Sequence, residues 1–321
     1  MSALLDPREE HFHIPSSHAG LSLFLRHLPP PDGISSKGVA LYVHGATFPS
    51  ALSIAHRFDG RSWRDELCAA GFHVWGFDFH GYGHSDAYPA MAEPPDGSEP
   101  LCTAEDASQQ LEKVARYICQ RHATDRLSLI AHSWGTIVSG RLAARCPDLI
   151  ERLVLFGAIA RREGNSAQDY PAWRLVSLQD QWQRFTAEVP AGAAPVLSRR
   201  HFGAWGECYL DSDPASGTRT PPSVKTPSGP WSDIARAWAG DLAYDPSHVQ
   251  APVAIIRGEW DSMCTDKDAA WLFDAFTSSP IRRDVKLSRG THLMHLETSR
   301  YALYRETQNF LAGGDAVANI D

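Results

Sequence analysis

The sequence predicts an α/β fold with a mostly parallel central sheet and helices on both faces. Three observations carry this expectation. Short apolar runs at 39–43, 127–131, 153–156 and 252–256 fit strands buried on both sides of a parallel sheet. Amphipathic helical stretches lie between them, as right-handed crossovers require. The rhythm breaks once, between 159 and 250, and then resumes.

Taken in order, strands are expected at 9–15 and 20–27, and a turn follows at Pro29-Pro30-Pro31-Asp32-Gly33. After the 39–43 run, a helix over 61–70 ends at Gly71 and a strand covers 72–77. The next helix, 103–122, takes Thr103 as its N-cap, with Asp106 three residues on in a capping-box arrangement. The helix over 134–145 places Ile137, Val138 and Leu142 on one face and stops at Pro147. Within 159–250, helical pieces precede a polar, Pro-rich stretch at 211–230 that reads as a mobile loop. The strand at 252–256 is followed by a helix near 265–276, a strand near 282–287 and a last helix over 296–311. No internal repeat is visible. The expected organisation is one core, 1–158 and 251–321, with residues 159–250 inserted over the sheet's carboxyl edge.

Composition narrows the function classes. A chain of 321 residues allows about two domains, or one large domain with an insertion. Lys and Arg total 30 against 38 Asp and Glu, a net charge of −8. That balance disfavours a nucleic-acid binder, which shows a basic face. The N-terminal stretch lacks the basic and long apolar regions of a signal peptide, and no apolar run reaches membrane-spanning length. The six cysteines are scattered, as in a reduced, cytoplasmic protein. His11 with His13, and His292 with His295, are the histidine pairs that raise a metal, but no HExxH or Cys/His quartet is present. No metal or cofactor is expected. Ten tryptophans are unusual, and five of them fall in the insertion: Trp173, Trp182, Trp205, Trp231 and Trp238.

The strongest chemical signal is Ala131-His132-Ser133-Trp134-Gly135, between an apolar strand and an amphipathic helix. A serine on a sharp strand-to-helix turn needs small residues two positions away on either side, because larger ones would collide in the strained elbow. A serine hydroxyl is a poor nucleophile alone and needs a base and an orienting acid. Asp261 and His292 each follow a later strand, so loops at one sheet edge can bring the three together. Glu259 and Asp266 compete for the acid role, and His295 for the base. The oxyanion donors would be the Trp134 N–H, at the helix start, and the Ala46 N–H, in the loop after Val43. His44 reads as a prop for that loop.

On these motifs, with His44-Gly45, the loop from Asp78 to Asp86, Gly258 to Asp261 and Gly290 to Glu297, the chain resembles the α/β-hydrolase superfamily over nearly its whole length. The resemblance implies Ser133 as nucleophile, Asp261 as acid, His292 as base and a helical cap at 159–250. It also implies that the 78–86 loop is mainly structural. Serine at the elbow disfavours the superfamily's dehalogenases and epoxide hydrolases, which carry aspartate there. His44-Gly45 is not followed by Gly-Pro-Gly or a glycine run, which disfavours iminopeptidases, the common C–C hydrolase pattern and hormone-sensitive-lipase-like esterases. An esterase, lactonase or thioesterase for a small, apolar or aromatic substrate remains. C–C bond hydrolysis of a diketone-like substrate, a non-hydrolytic lyase or binding protein, and a peptidase are the alternatives. The expected partner is a small molecule, with no nucleic acid and no membrane, and a homo-oligomer is left open.

Overall fold

The computed structural model describes residues 5–164 and 169–313. Its central sheet has eight strands: β1 (Glu10–Pro15), β2 (Ser22–Leu28), β3 (Gly38–Val43), β4 (Phe72–Phe77), β5 (Leu127–His132), β6 (Ile150–Phe156), β9 (Val253–Gly258) and β10 (Arg282–Leu287). Their spatial order is β1-β2-β4-β3-β5-β6-β9-β10. β2 pairs antiparallel with both β1 and β4, and every other neighbouring pair is parallel.

The alternation of side chains along the strands splits the core in two. Leu41, Leu129, Leu155 and Ile255 belong to the cluster on one side, with α2 (Ala104–His122), α3 (Gly135–Arg145) and α7 (Asp266–Ala275). Tyr42, Ile130, Val154 and Ile256 belong to the other, with α1 (Trp63–Ala69) and α8 (Arg300–Leu311). Successive residues therefore serve opposite faces, as period-two geometry demands. The strands and helices expected from the sequence are present, with one shift at the end. The 296–311 stretch begins as a 3₁₀ turn at Met294–Leu296, and α8 starts only at Arg300.

Two local expectations are corrected. Thr103 does not cap α2 with its side chain. The orphan N–H of Ala104 is taken instead by Asp233, 129 residues later, at 2.6 Å. Asp106 turns to His18, Tyr88 and Gln110. The 211–230 stretch is not a loop throughout: it holds β8 (Ser223–Pro227) and the start of α6 (Gly229–Trp238). β8 pairs antiparallel with β7 (Trp173–Ser177), and this pairing orders a segment whose composition alone reads as a loop. α4 (Leu178–Thr186) and α5 (Arg199–Asp211) complete the segment between β6 and β9.

That segment packs through its own apolar cluster. Val176, Phe185, Trp205, Tyr209 and Val224 meet Phe48 and Leu293 of the core loops. Trp205 is fully buried, stacks on Tyr209 at 5.1 Å and donates its indole N–H to the Leu52 carbonyl at 3.0 Å. No described helix is long and apolar enough to cross a membrane.

Candidate active site

β5 ends one residue before Ser133, and α3 begins two residues after it. Ser133 takes φ of 57°, a left-handed conformation that costs a non-glycine residue energy and so marks a constrained turn. Its N–H bonds the Phe156 carbonyl at 3.0 Å, and its carbonyl accepts from Thr136 Oγ1 at 2.6 Å. The small residues the elbow requires have identifiable neighbours. A Cβ on Gly135 would lie 2.6 Å from the His44 carbonyl oxygen. A Cβ on Gly45 would lie 3.1 Å from the Ser133 Cβ.

Asp261 and His292 are brought together from the loops after β9 and β10. His292 Nδ1 lies 3.0 Å and 3.1 Å from the two Asp261 carboxylate oxygens. The Asp261 carboxylate is itself fixed by the N–H groups of Met263 and Cys264, at 2.9 and 3.0 Å. Gly157, directly after β6, makes room for the pair: a Cβ there would approach His292 Nδ1 to 2.8 Å and Asp261 Oδ2 to 3.0 Å. Ser133 bonds to Phe156, the residue before Gly157, and His132 Nε2 lies 2.9 Å from the His292 carbonyl oxygen, so the elbow stands next to the Asp261–His292 pair at the carboxyl edge of the sheet. His292 Nε2 is buried and has no hydrogen-bond partner among the described residues, so it makes no hydrogen bond with the Ser133 hydroxyl in this structure. Such contacts often tighten only when substrate binds.

Burial pulls the His292 imidazole down, but the charge and hydrogen bond of Asp261 and the charge of Glu188 outweigh it, and the net direction is up. The competing base, His295, lacks any such acid. Both its ring nitrogens are buried and unpartnered, it lies among Phe48, Trp63, His132 and Phe156, and burial pushes it down to about 3. The competing carboxylates are engaged elsewhere. Glu259 accepts the Arg289 N–H, and Asp266 pairs with Arg257 and Lys286.

The Ala46 loop is braced rather than free. His44 bonds the Gly45 carbonyl at 2.8 Å and accepts the Phe79 N–H at 3.1 Å, and the Tyr82 hydroxyl donates to the Ala46 carbonyl at 2.7 Å. The Trp134 indole is anchored by Asp233 at 2.8 Å. Burial raises that carboxyl to about 6. Among the described residues, neither the Ala46 nor the Trp134 backbone N–H donates to a protein acceptor. Asp78 holds Ser50 and the His84 N–H, which accounts for it as a structural residue.

Sequence reasoning missed Glu188, which follows α4. One of its oxygens accepts the Ser262 N–H at 2.8 Å and the Ser262 hydroxyl, and the other accepts the His292 N–H at 2.7 Å. A single carboxylate from the segment thus clasps both the acid loop and the base loop. Glu297 carries no site signal in the sequence beyond the motif it ends. It accepts from the N–H and hydroxyl of Thr291, beside the base, and burial raises it to about 7. Of the suspected metal pairs, His11 bonds Glu9, and His292 bonds Asp261. Among the described residues, the ring nitrogens that do converge, within 4.8 Å, are those of His27, His73 and His122. They belong to an aromatic stack in which His27 lies on Trp75 at 4.3 Å and bonds Glu10 and His73.

An elbow serine in a left-handed turn, an Asp–His pair beside it and a sheet with one antiparallel strand define a hydrolase-type α/β protein. The sequence matches the alpha/beta hydrolase fold family over residues 58–299, and the chain belongs to that family. A search of curated proteins finds no match. Among solved structures, it is similar to the thioesterase domain of the curacin biosynthetic pathway, with 16% identity and a TM-score of 0.58, covering 94% of this chain and 99% of that one. It is also similar to an epoxide hydrolase from Solanum tuberosum, with 14% identity and a TM-score of 0.58 over 94% and 99% of the two chains. An epoxide hydrolase from Vigna radiata matches with 14% identity and a TM-score of 0.56 over 95% and 97%. At these identities the likeness concerns the fold.

Proposed function

We propose that this α/β-hydrolase is a serine hydrolase that cleaves an ester, thioester or lactone of a small molecule through an acyl-enzyme. The observation that carries the reading is the left-handed Ser133 beside an Asp261–His292 pair whose remaining ring nitrogen is unpartnered. An epoxide hydrolase of this superfamily places aspartate at the elbow, so the serine favours acyl transfer. In the proposed reaction, His292 Nε2 takes the Ser133 proton as the hydroxyl oxygen attacks the carbonyl carbon. Asp261 holds Nδ1–H and stabilises the imidazolium. The backbone N–H groups of Ala46 and Trp134 receive the oxyanion, and each such donor is worth about 3–4 kcal/mol in comparable sites. The proton passes to the leaving group, and water then cleaves the acyl-enzyme by the same path in reverse. No cofactor enters these steps, and residues 159–250 act as the cap.

The reading is tested by reacting the protein with a fluorophosphonate and locating the adduct by mass spectrometry. The expected result is a single adduct on Ser133 with loss of p-nitrophenyl ester turnover. Full turnover after stoichiometric labelling, or labelling elsewhere, would overturn it.

The cap carboxylate supplies a second test. In Glu188→Gln only one atom of the side chain can accept, so part of the clasp on Ser262 and His292 is lost. A hydrogen bond to a charged group contributes about 1.5–3 kcal/mol, so kcat should fall about 10- to 100-fold with little change in KM. The lost charge should also move the acid limb of the pH–rate profile to lower pH, which a purely structural loss would not do. An unchanged limb and unchanged kcat would remove Glu188 from the positioning role.

A further inference from the structure

Four of the cap's five tryptophans carry a cation over the ring. Trp173 carries Lys225 at 3.8 Å, Trp182 carries Arg199 at 4.5 Å, and Trp238 carries Arg162 at 4.3 Å. Trp231 is different, because two cations share it: Arg184 at 5.1 Å and Arg174 at 5.4 Å from the ring centroid. Two guanidinium groups on one indole repel each other, and cation–π attraction offsets only part of that.

Neither cation has an ion-pair partner among the described residues. Arg184 donates one hydrogen bond, to Thr47 Oγ1 at 2.8 Å, and Arg174 makes none. The carboxylates within electrostatic reach are occupied. Asp180 accepts from Ser177 within its own helix cap, and both Glu188 oxygens are taken by Ser262 and His292. Both arginines are partly buried. Burial and the charge of Arg174 push Arg184 down to about 10, still charged at neutral pH.

Their place is the roof of the active site. Arg184 is bound to the residue that follows Ala46, and its charge acts on both His292 and His132. The charges of both arginines act on Tyr82, whose hydroxyl holds the Ala46 carbonyl. Arg174 pairs with Thr226 across the two-stranded β7–β8 sheet, on the face that also carries Val176 and Val224, which pack on the core loops. Thr226 is fully buried and its hydroxyl has no partner among the described residues. A buried donor without an acceptor is costly, and the Thr226 hydroxyl, together with two guanidinium groups that share Trp231 and have no ion-pair partner among the described residues, points to an acceptor that arrives from outside.

We propose that Arg174 and Arg184, with Thr226, form an oxoanion-binding subsite under the cap, so that the substrate carries a carboxylate, sulfate or phosphate in addition to its scissile carbonyl. The inference rests on the acyl-transfer reading for its place in the reaction but not for its binding. Guanidinium forks match such anions in charge and geometry.

The direct test is calorimetric titration of the wild-type protein with glutarate, 4-sulfobutyrate and butyl phosphate, with neutral pentanamide as the control. At least one anion should bind at about 1 mM or tighter at low salt, and weaken as ionic strength rises. Arg174→Gln and Arg184→Gln should each weaken it about 10-fold or more, and Arg184→Lys should retain part of the affinity. Which anion binds best identifies the group. In parallel, the mono-p-nitrophenyl ester of glutarate should be hydrolysed with higher kcat/KM than the neutral valerate ester, and that ratio should fall toward one in the arginine variants. No anion binding more tightly than pentanamide, or binding untouched by both glutamine variants, would overturn the proposal. Failure of the acyl-transfer reading looks different, since both esters would then go unhydrolysed while the calorimetric signal and its arginine dependence persisted.

Discussion

Replacing Ser133 with alanine is expected to lower kcat/KM for a p-nitrophenyl ester by about a million-fold, to the residual rate left by binding and the oxyanion donors alone. The size follows from what the elbow does. The serine is held at φ of 57° by backbone hydrogen bonds to Phe156 and from Thr136, and none of these uses the hydroxyl. Alanine keeps those bonds, and its side chain is smaller, so the turn should remain and only the nucleophile should go. The control is therefore thermal: the melting temperature should move by no more than a few degrees, since ΔΔG well below 1 kcal/mol is expected where no hydrogen bond is lost. The variant is measured at high enzyme concentration against spontaneous ester hydrolysis, with fluorophosphonate labelling alongside. Retention of more than a thousandth of the wild-type rate would mean that another group attacks the carbonyl. A hydrolase acting through a metal-bound or base-activated water would give that result.

The core was legible because its signals are local. Apolar runs such as 127–131 and 153–156 announce buried parallel strands, and the helices between them follow from topology. The elbow was legible because small residues must stand at 131 and 135, and the structure places the His44 carbonyl where a side chain at 135 would collide. Asp261 and His292 were legible as residues following strands, and the structure joins them. Within the cap, by contrast, the determinants are non-local. Ser223–Pro227 forms a strand because β7 lies beside it: Val224 and Thr226 suit a strand, but Ser, Lys and Pro around them do not announce one. Thr103 loses the capping role to Asp233, which no local rule could bring across 129 residues. Glu188 has no motif at all, and its role exists only because the acid and base loops end within reach of one carboxylate. The surroundings of the cap tryptophans were hidden for a related reason. Composition counts tryptophans but does not report that Arg174 and Arg184 lie over one of them.

Asp261→Asn should be the second largest loss, about 10⁴-fold in kcat, and its pH dependence should identify the cause. Asparagine fits the same space, and its carbonyl oxygen can still accept from Met263 and Cys264. What changes is the partner of His292 Nδ1. An amide NH₂ facing that nitrogen favours the tautomer with the proton on Nε2, the atom that must accept the serine proton. The charge that holds the imidazolium is lost as well. In the wild-type protein His292 must be neutral to act, and its pKa stands above the usual 6.5, so activity rises with pH through that raised value. In the variant, burial, the largest influence on this imidazole, is no longer opposed by Asp261, so the acid limb should move to lower pH. A residual activity that is small at every pH, with its acid limb shifted downward, is the expected signature. A large loss with the limb unmoved would mean that Asp261 orients the loop but does not set the charge of the base. A small loss would return the acid role to another carboxylate, and Glu297, beside Thr291, would be the next to replace.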